Sequence, residues 1–523
     1  MGQFSKLVYG DYLQRTRSYA FLITLAVSLY AAYSFVPPLE ANYTTLRIGK
    51  YIGANNSAWT GYLTAMMTSI FLSAIGFYLI NSNIKKDIST GVGMIIAATS
   101  ITNFRYLFAK AISNFMLLLT ITVIISIMSA VVFLVRPGSY SFQIMPFITP
   151  FLVITAPTLF FISAFAVFAE VVLYRYVIIM NIAFLFLFMS LLPAQEKLPP
   201  ALDLMGIKPV IATMETQVRE VYHEKNTQFS MGFNIGNKGK IKVFVFEGVS
   251  WNVLYVAFRL LWIGIGFGLI YISSLVFHRF DLVEGNKKQK KEKTSLTVFK
   301  ESNKAATESK LKEIRLNALP RIKPAFGIIP LIKTELLMLY RKGPRWMWLL
   351  NIGGMVAISL APLQTAHVVI LPVLWFLQIA RWSDLATKEK TYRIHYFTYA
   401  SYKPLTRLFT AQLLAGIILS IGLSSPLLIR YAVGAEMLTV ISILLGSIFI
   451  VLFAVFTGIM SGGKKLFEIL FFFVTYCNLN KVPPLDYFGG LNHGLSYIGC
   501  MAILVIFLAT SSYLYRRFEI SRL

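Results

Sequence analysis

Apolar runs of about 20 residues recur along the chain, separated by short polar or mixed segments. They predict membrane-spanning helices near 18–38, 59–81, 111–135, 146–169, 171–193 and 251–277. A second set is predicted near 345–362, 365–381, 406–429, 437–460, 464–478 and 494–514. Before the first run of each set, apolar residues gather in an amphipathic segment: Phe4, Leu7, Val8 and Leu13, then Leu331, Ile332, Leu336 and Leu339. Such segments predict helices lying along a membrane surface. Residues 194–250 form a long polar insertion with a weak helical pattern over 209–224. Within it, "FSMGFNIGNKGKIKVFVFEG" (229–248) reads as a hairpin with Gly236 and Gly239 flanking the turn.

The predicted fold class is an all-α polytopic membrane protein of about twelve transmembrane helices, with a small external α/β cap between the fifth and sixth spans. Three repeated motifs predict a 6+6 internal duplication. "KLPPALDLMG" (197–206) and "KVPPLDYFGG" (481–490) follow the fifth and eleventh runs. "GDYLQRTR" (10–17) pairs with "TELLMLYR" (334–341), and "TSITNFRYLFAK" (99–110) with "YASYKPLTRLFTAQ" (399–412). The expected domains are a six-span half over 1–280 carrying the 194–250 insertion, a basic cytoplasmic linker over 281–325, and a second six-span half over 326–523.

Composition agrees with a membrane solvent: 56% of residues are hydrophobic and 14% charged, against about 25% charged in soluble proteins. The formal net charge is +26. Lys6, Arg15 and Arg17, the 82–110 loop, the 278–345 segment, the 381–407 loop and the tail at Arg516, Arg517 and Arg522 are all basic. By the positive-inside rule these segments are cytoplasmic, as are both termini of a multi-pass chain in the cell membrane. The charge then faces anionic lipid, and nucleic acid is not an expected partner. The lysine-dense "NKKQKKEK" (286–293) pins the end of the sixth span inside.

Candidate chemistry is sparse. Cys477 and Cys500 give no disulfide framework, and the five histidines have no metal-ligand spacing, so neither a metal nor a catalytic constellation is expected. "GIMSGGKK" (458–465) has the glycines and Lys464 of a phosphate loop but Lys465 where Ser or Thr must hold Mg²⁺. Gly264 and Gly268 in "WIGIGFG" read as a helix-packing GxxxG. Carboxylates such as Glu170, Glu436 and Glu468 fall near span ends, and Arg259 is the deepest charge. Without a mid-membrane carboxylate, proton coupling within the chain is not expected, and energy must come from elsewhere.

Between the second and third runs of each set lies a polar, partly helical loop: "NIKKDISTGVGMIIAATSITNFRYLFAK" (83–110) and "SDLATKEKTYRIHYFTYASYKPLTRLF" (383–409). Surface helix, two spans, cytoplasmic loop, then four spans with a broken external segment after the fifth resembles the type-2 ATP-binding-cassette exporter permease. The first loop matches that family's pattern with Asp87, Gly91, Ile95, Ile96, Thr99, Ser100, Arg105 and Lys110. The second matches with Glu389, Ser401, Lys403, Pro404 and Arg407 but lacks the glycine. The resemblance implies that both loops are coupling helices docking on separate cytoplasmic ATPase subunits, two copies in all, which bind the ATP and Mg²⁺. It implies short external gate helices at Pro199–Pro200 and Pro483–Pro484. The chain would form the pathway, without being an enzyme or holding a cofactor. The rival reading is a major-facilitator-type secondary carrier, but "SNIKKDISTGVG" does not supply that family's Gly-x-x-x-Asp-Arg-x-Gly-like loop, and 194–250 is long for one of its external loops.

Overall fold

The computed structural model describes residues 3–38, 41, 43–81, 83–136, 140–173, 176–194, 199–223, 228–235, 242–277, 327–479, 485–491 and 494–521. The expected linker at 281–325, Pro483 and Pro484 lie outside these residues. The chain is mostly helical. In its first part the helices are α1 (Gln3–Thr16), α2 (Tyr19–Phe35), α3 (Ser57–Ile80), α4 (Asn83–Ser89), α5 (Val92–Ala97), α6 (Asn103–Val135), α7 (Ile144–Pro150), α8 (Ala156–Val172), α9 (Val177–Ala194), α10 (Lys208–Tyr222) and α11 (Val253–Val276). Then follow α12 (Ile329–Arg341), α13 (Met347–Leu360), α14 (Leu363–Phe376), α15 (Lys388–Thr391), α16 (His395–Tyr399), α17 (Thr410–Val433), α18 (Met437–Ser461), α19 (Lys465–Leu479) and α20 (Leu495–Ser521).

Helix starts follow their capping residues. Asn56 accepts from Trp59 N at 2.7 Å ahead of α3, and Thr102 accepts from Arg105 N at 3.3 Å ahead of α6. Gly462, at φ +64°, ends α18 in a left-handed cap, so the near-phosphate-loop sequence is a helix end and turn with no strand before it. Among the described residues, 7 helices are long and apolar enough to cross a membrane, or 8 if α1 and α2, bent by 72°, are one span. Three further apolar helices, Ile179–Leu192, Met347–Leu360 and Leu363–Phe376, are shorter. A helix such as α13, with 14 residues, is about 21 Å long, short of the ~30 Å hydrocarbon core. The five runs without a long helix fall on the bent α1–α2 pair, on these three short helices and on α19, which has 15 residues.

The sheet differs from the expected hairpin. It has four strands in the order β3-β1-β2-β4, with β1 at Tyr43–Ile48, β2 at Tyr51–Gly53, β3 at Phe229–Ile235 and β4 at Lys242–Phe244. β3 pairs with β1, antiparallel, and β4 with β2, parallel, so the two strands of 229–248 are opposite edges and not partners. Aromatic packing supplies the reason. Phe244 meets Trp59 edge-on at 5.6 Å and Phe246 meets Tyr62 at 5.3 Å, while Asn56 donates to Phe246 O at 2.7 Å. Those contacts hold the β4 segment on the start of α3, away from β3. The cap is therefore built jointly by 43–53 and the expected insertion.

Residues 1–277 meet residues 327–523 along an aromatic seam where α3 and α9 face α19. Tyr78 lies 4.4 Å from Phe472, Phe188 lies 5.9 Å from Tyr476, and Phe77 stacks on Phe184 at 3.7 Å behind them. Lys465 Nζ donates to Tyr78 O at 3.3 Å and to the Asn81 side chain. The glycine that packs α11 is Gly266, against Phe160 and Ala164 of α8; Gly264 and Gly268 face outward, which corrects the GxxxG expectation.

Candidate functional site

Both polar loops carry buried charge. In the first, Lys110 of α6 is 1% exposed and its Nζ lies 2.7 Å from Asp11 of α1 and 2.6 Å from Asp87 of α4. Tyr106 is 2.8 Å from Asp87 Oδ2, and Arg15 bonds the Asn114 side chain one turn further along α6. Thus α1, the loop and α6 are tied at one point. A buried cation between two carboxylates is stable only as a set, because each charge left alone would be desolvated without compensation.

The second loop repeats the arrangement with redistributed charge. Glu335 of α12 stands where Asp11 stands, Glu389 of α15 where Asp87 does, and Gln412 of α17 where Lys110 does. The Gln412 amide donates to Glu389 and also bonds Glu335, while Lys388 forms the ion pair with Glu335. Burial pushes the Glu335 carboxyl above its ordinary range; Lys388 opposes this and Glu389 adds to it. Glu389, Arg393, Ser401, Arg407 and Gln412 each lie 302 positions after Asp87, Gly91, Thr99, Arg105 and Lys110 (389 minus 87, for example). Gly91 takes φ +75° to break α4 from α5, and Arg393 takes φ +57° between α15 and α16. The second loop therefore keeps the left-handed break although it lacks the glycine.

Nothing lies within 4 Å of a Cβ added at Gly91, so Gly91→Ala is a pure backbone test. It is expected to cost about 1–2 kcal/mol and lower the thermal unfolding midpoint of the purified chain. Arg393→Gly should shift the midpoint less, or upward. An unchanged midpoint in Gly91→Ala would remove the left-handed break from this account.

The sequence-predicted residues separate into two groups. Asp87, Lys110 and Glu389 are buried and hold the loops from within. Thr99, Ser100, Arg105, Ser401 and Lys403 are exposed, and Arg407 is half-buried over the Tyr402 ring. Between these groups the loops present bare apolar side chains. Ile95 on α5 is 70% exposed, and Phe397 on α16, again 302 positions on, is 83% exposed. The loops are also held by the last long helices. Asn103 donates to Phe277 O at 2.9 Å beyond α11, and Arg516 of α20 donates to Ala386 O and the Tyr399 hydroxyl. Asp11, Glu335, Lys388 and Gln412 are absent from the sequence-predicted set; the six-residue spacing in "GDYLQRTR" and "TELLMLYR" is the signal for the two acids.

At the opposite ends of the long helices, two turns match in detail. Asp203 accepts from Gly206 N and Lys208 N, both at 2.8 Å; Asp486 accepts from Phe488 N at 3.2 Å, Gly490 N at 3.1 Å and Leu491 N at 2.8 Å. Three residues after each aspartate is a left-handed glycine, Gly206 at φ +68° and Gly489 at φ +72°. Each glycine meets a tyrosine from the following long helix: Tyr255 donates to Gly206 O at 2.8 Å, and Gly489 N donates to Tyr497 at 2.9 Å. Burial pushes the Asp203 carboxyl up, against its N–H donors and Arg259. Pro199 and Pro200 lie exposed at the entry to a single 3₁₀ turn, Pro200–Leu202, ahead of Asp203.

Arg259 clamps the first turn. Its guanidinium donates to Val153 O (3.2 Å), Ile154 O (2.9 Å), Asp203 O (3.0 Å), Leu204 O (3.1 Å) and Thr158 Oγ1 (2.7 Å). Val153 and Ile154 lie in the π turn Phe151–Thr155 that follows Pro150, where the regular helical ladder is interrupted. No protein-family model, curated protein or solved structure matches the chain.

Proposed function

We propose that the chain is the pathway-forming permease subunit of an ATP-driven exporter, with two six-span halves fused in one polypeptide and both termini cytoplasmic. The observation that carries this reading is the pair of loops in one 302-residue register. Each is tied inward by buried acids and offers an exposed apolar tip, Ile95 or Phe397, beside an arginine, Arg105 or Arg407. A rigidly held apolar tip on a polar loop fits a protein groove better than solvent. The occupants of such grooves would be two cytoplasmic ATPase subunits, which bind ATP and Mg²⁺ themselves. The twelve-span, 6+6 layout is supported by the matched loops at one end and the Asp203 and Asp486 turns at the other. The aromatic seam between the halves is then the closed pathway, and its rings suit an apolar or amphipathic cargo.

Affinity purification of the full chain in mild detergent tests this. An ATP-hydrolysing subunit should co-purify, and Arg105→Glu, Ile95→Asp, Arg407→Glu and Phe397→Asp should each reduce its retention about tenfold. Uptake driven by a proton gradient, with no ATPase retained, would instead support a secondary carrier and end this reading.

A further inference from the structure

A groove of about 460 Å³ runs between α12, α13 and α17, within the ~300–1,000 Å³ range of small-ligand sites. Ile332, Leu336, Leu339, Trp348 and Leu419 line it, and exposed Lys333 stands at its rim. Leu419 lies well inside α17, so the groove leads from the amphipathic α12 toward the middle of a long apolar helix. The indole N–H of Trp348 already donates to Tyr340 O at 3.0 Å, leaving an apolar wall that cannot orient a polar solute.

Behind that wall is an unusual cation. Arg381 is 2% exposed; its Nε donates to Leu339 O at 3.0 Å, and its guanidinium lies 4.7 Å from the Trp348 ring centroid. Gln378 takes Nη1, but Nη2 has no hydrogen-bond partner, and no carboxylate pairs with Arg381 among the described residues. A buried guanidinium held against two lining residues, with no carboxylate among the described residues to neutralise it, sets a positive potential behind an apolar groove and favours a hydrocarbon that carries a negative group. We propose that this groove binds one acyl chain of an anionic phospholipid, with its headgroup held at Lys333 and drawn by Arg381. A zwitterionic lipid would fill the groove equally well but would gain less from two cations. The site requires a bilayer around the chain and not transport, so its failure would leave the permease reading standing.

The test uses the full chain in lipid nanodiscs containing a minor fraction of lipid brominated on its acyl chains, which quenches nearby indoles. The Trp348 signal is isolated as wild type minus Trp348→Phe. Brominated phosphatidylglycerol should quench it several-fold more than brominated phosphatidylcholine at equal mole fraction. Lys333→Gln and Arg381→Gln should each lower that preference by up to about fivefold, and Leu419→Phe should reduce quenching by both lipids. Should Arg381→Gln fail to fold, Lys333→Gln, altering an exposed side chain, decides alone. Added inorganic phosphate should leave the quenching unchanged. Equal quenching by the two lipids in the wild type, no effect of Lys333→Gln, or loss of the preference on adding phosphate would each overturn the proposal.

Discussion

Replacing Lys110 by methionine is expected to destabilise the chain by about 3–5 kcal/mol, because it strands Asp11 and Asp87 as buried, uncompensated carboxylates. Methionine has nearly the right length and no charge, so the loss is electrostatic more than steric. Thermal unfolding of the purified chain, followed by tryptophan fluorescence, reads it directly. Gln412→Met, at the matching position, should cost only about 1–3 kcal/mol, since Lys388 still neutralises Glu335 there. In that loop the large loss belongs to Lys388→Met. Equal, small effects of Lys110→Met and Gln412→Met would show that the Lys110 ion pairs are solvated, contrary to their burial. Adding Asp87→Asn to Lys110→Met should recover part of the loss, which a general packing defect would not do.

Arg259→Met should be comparably severe. It removes five donated bonds at once and leaves the carbonyls of Ile154, Asp203 and Leu204, which are buried, and of Val153, which is partly buried, without this donor, at least about 3 kcal/mol together. Arg259→Lys should recover only part, because a lysine cannot span the π turn and the Asp203 turn with one planar fork. The effect should also be local: limited proteolysis should cut residues 199–223 faster in Arg259→Met while the loops near Asp87 and Glu389 keep their resistance. Uniform cleavage, or none, would count against the clamp.

Much of this architecture is legible in the order of the residues. The apolar runs mark the long helices, and the Leu-Asp repeats mark two turns whose aspartates do the same work. What escapes depends on burial and on distant partners. Asp87, Lys110 and Glu389 look like surface-loop charges, because nothing local in sequence distinguishes a buried ion pair from a solvated one. The register of the second loop is blurred because its cation has moved from the long helix to Lys388, and because Arg393 occupies a backbone conformation in which glycine is the usual sign. The β4 segment reads as a hairpin arm since its actual partner, β2, lies far back in the chain. Gly266 escapes notice because Gly264 and Gly268 fit a known spacing, although they face away from α8.

The interleaved sheet bears on how the chain is made. Tyr51 waits for Lys242, its parallel neighbour, until 191 further residues have been synthesised. At ordinary elongation rates that is roughly 10–40 s, during which the edge of the β1–β2 hairpin is unpaired and open to wrong partners. Completion of the sheet thus waits for the emergence of its own late strand, and a chain that ended before residue 242 would lack β4 and leave β2 an open edge.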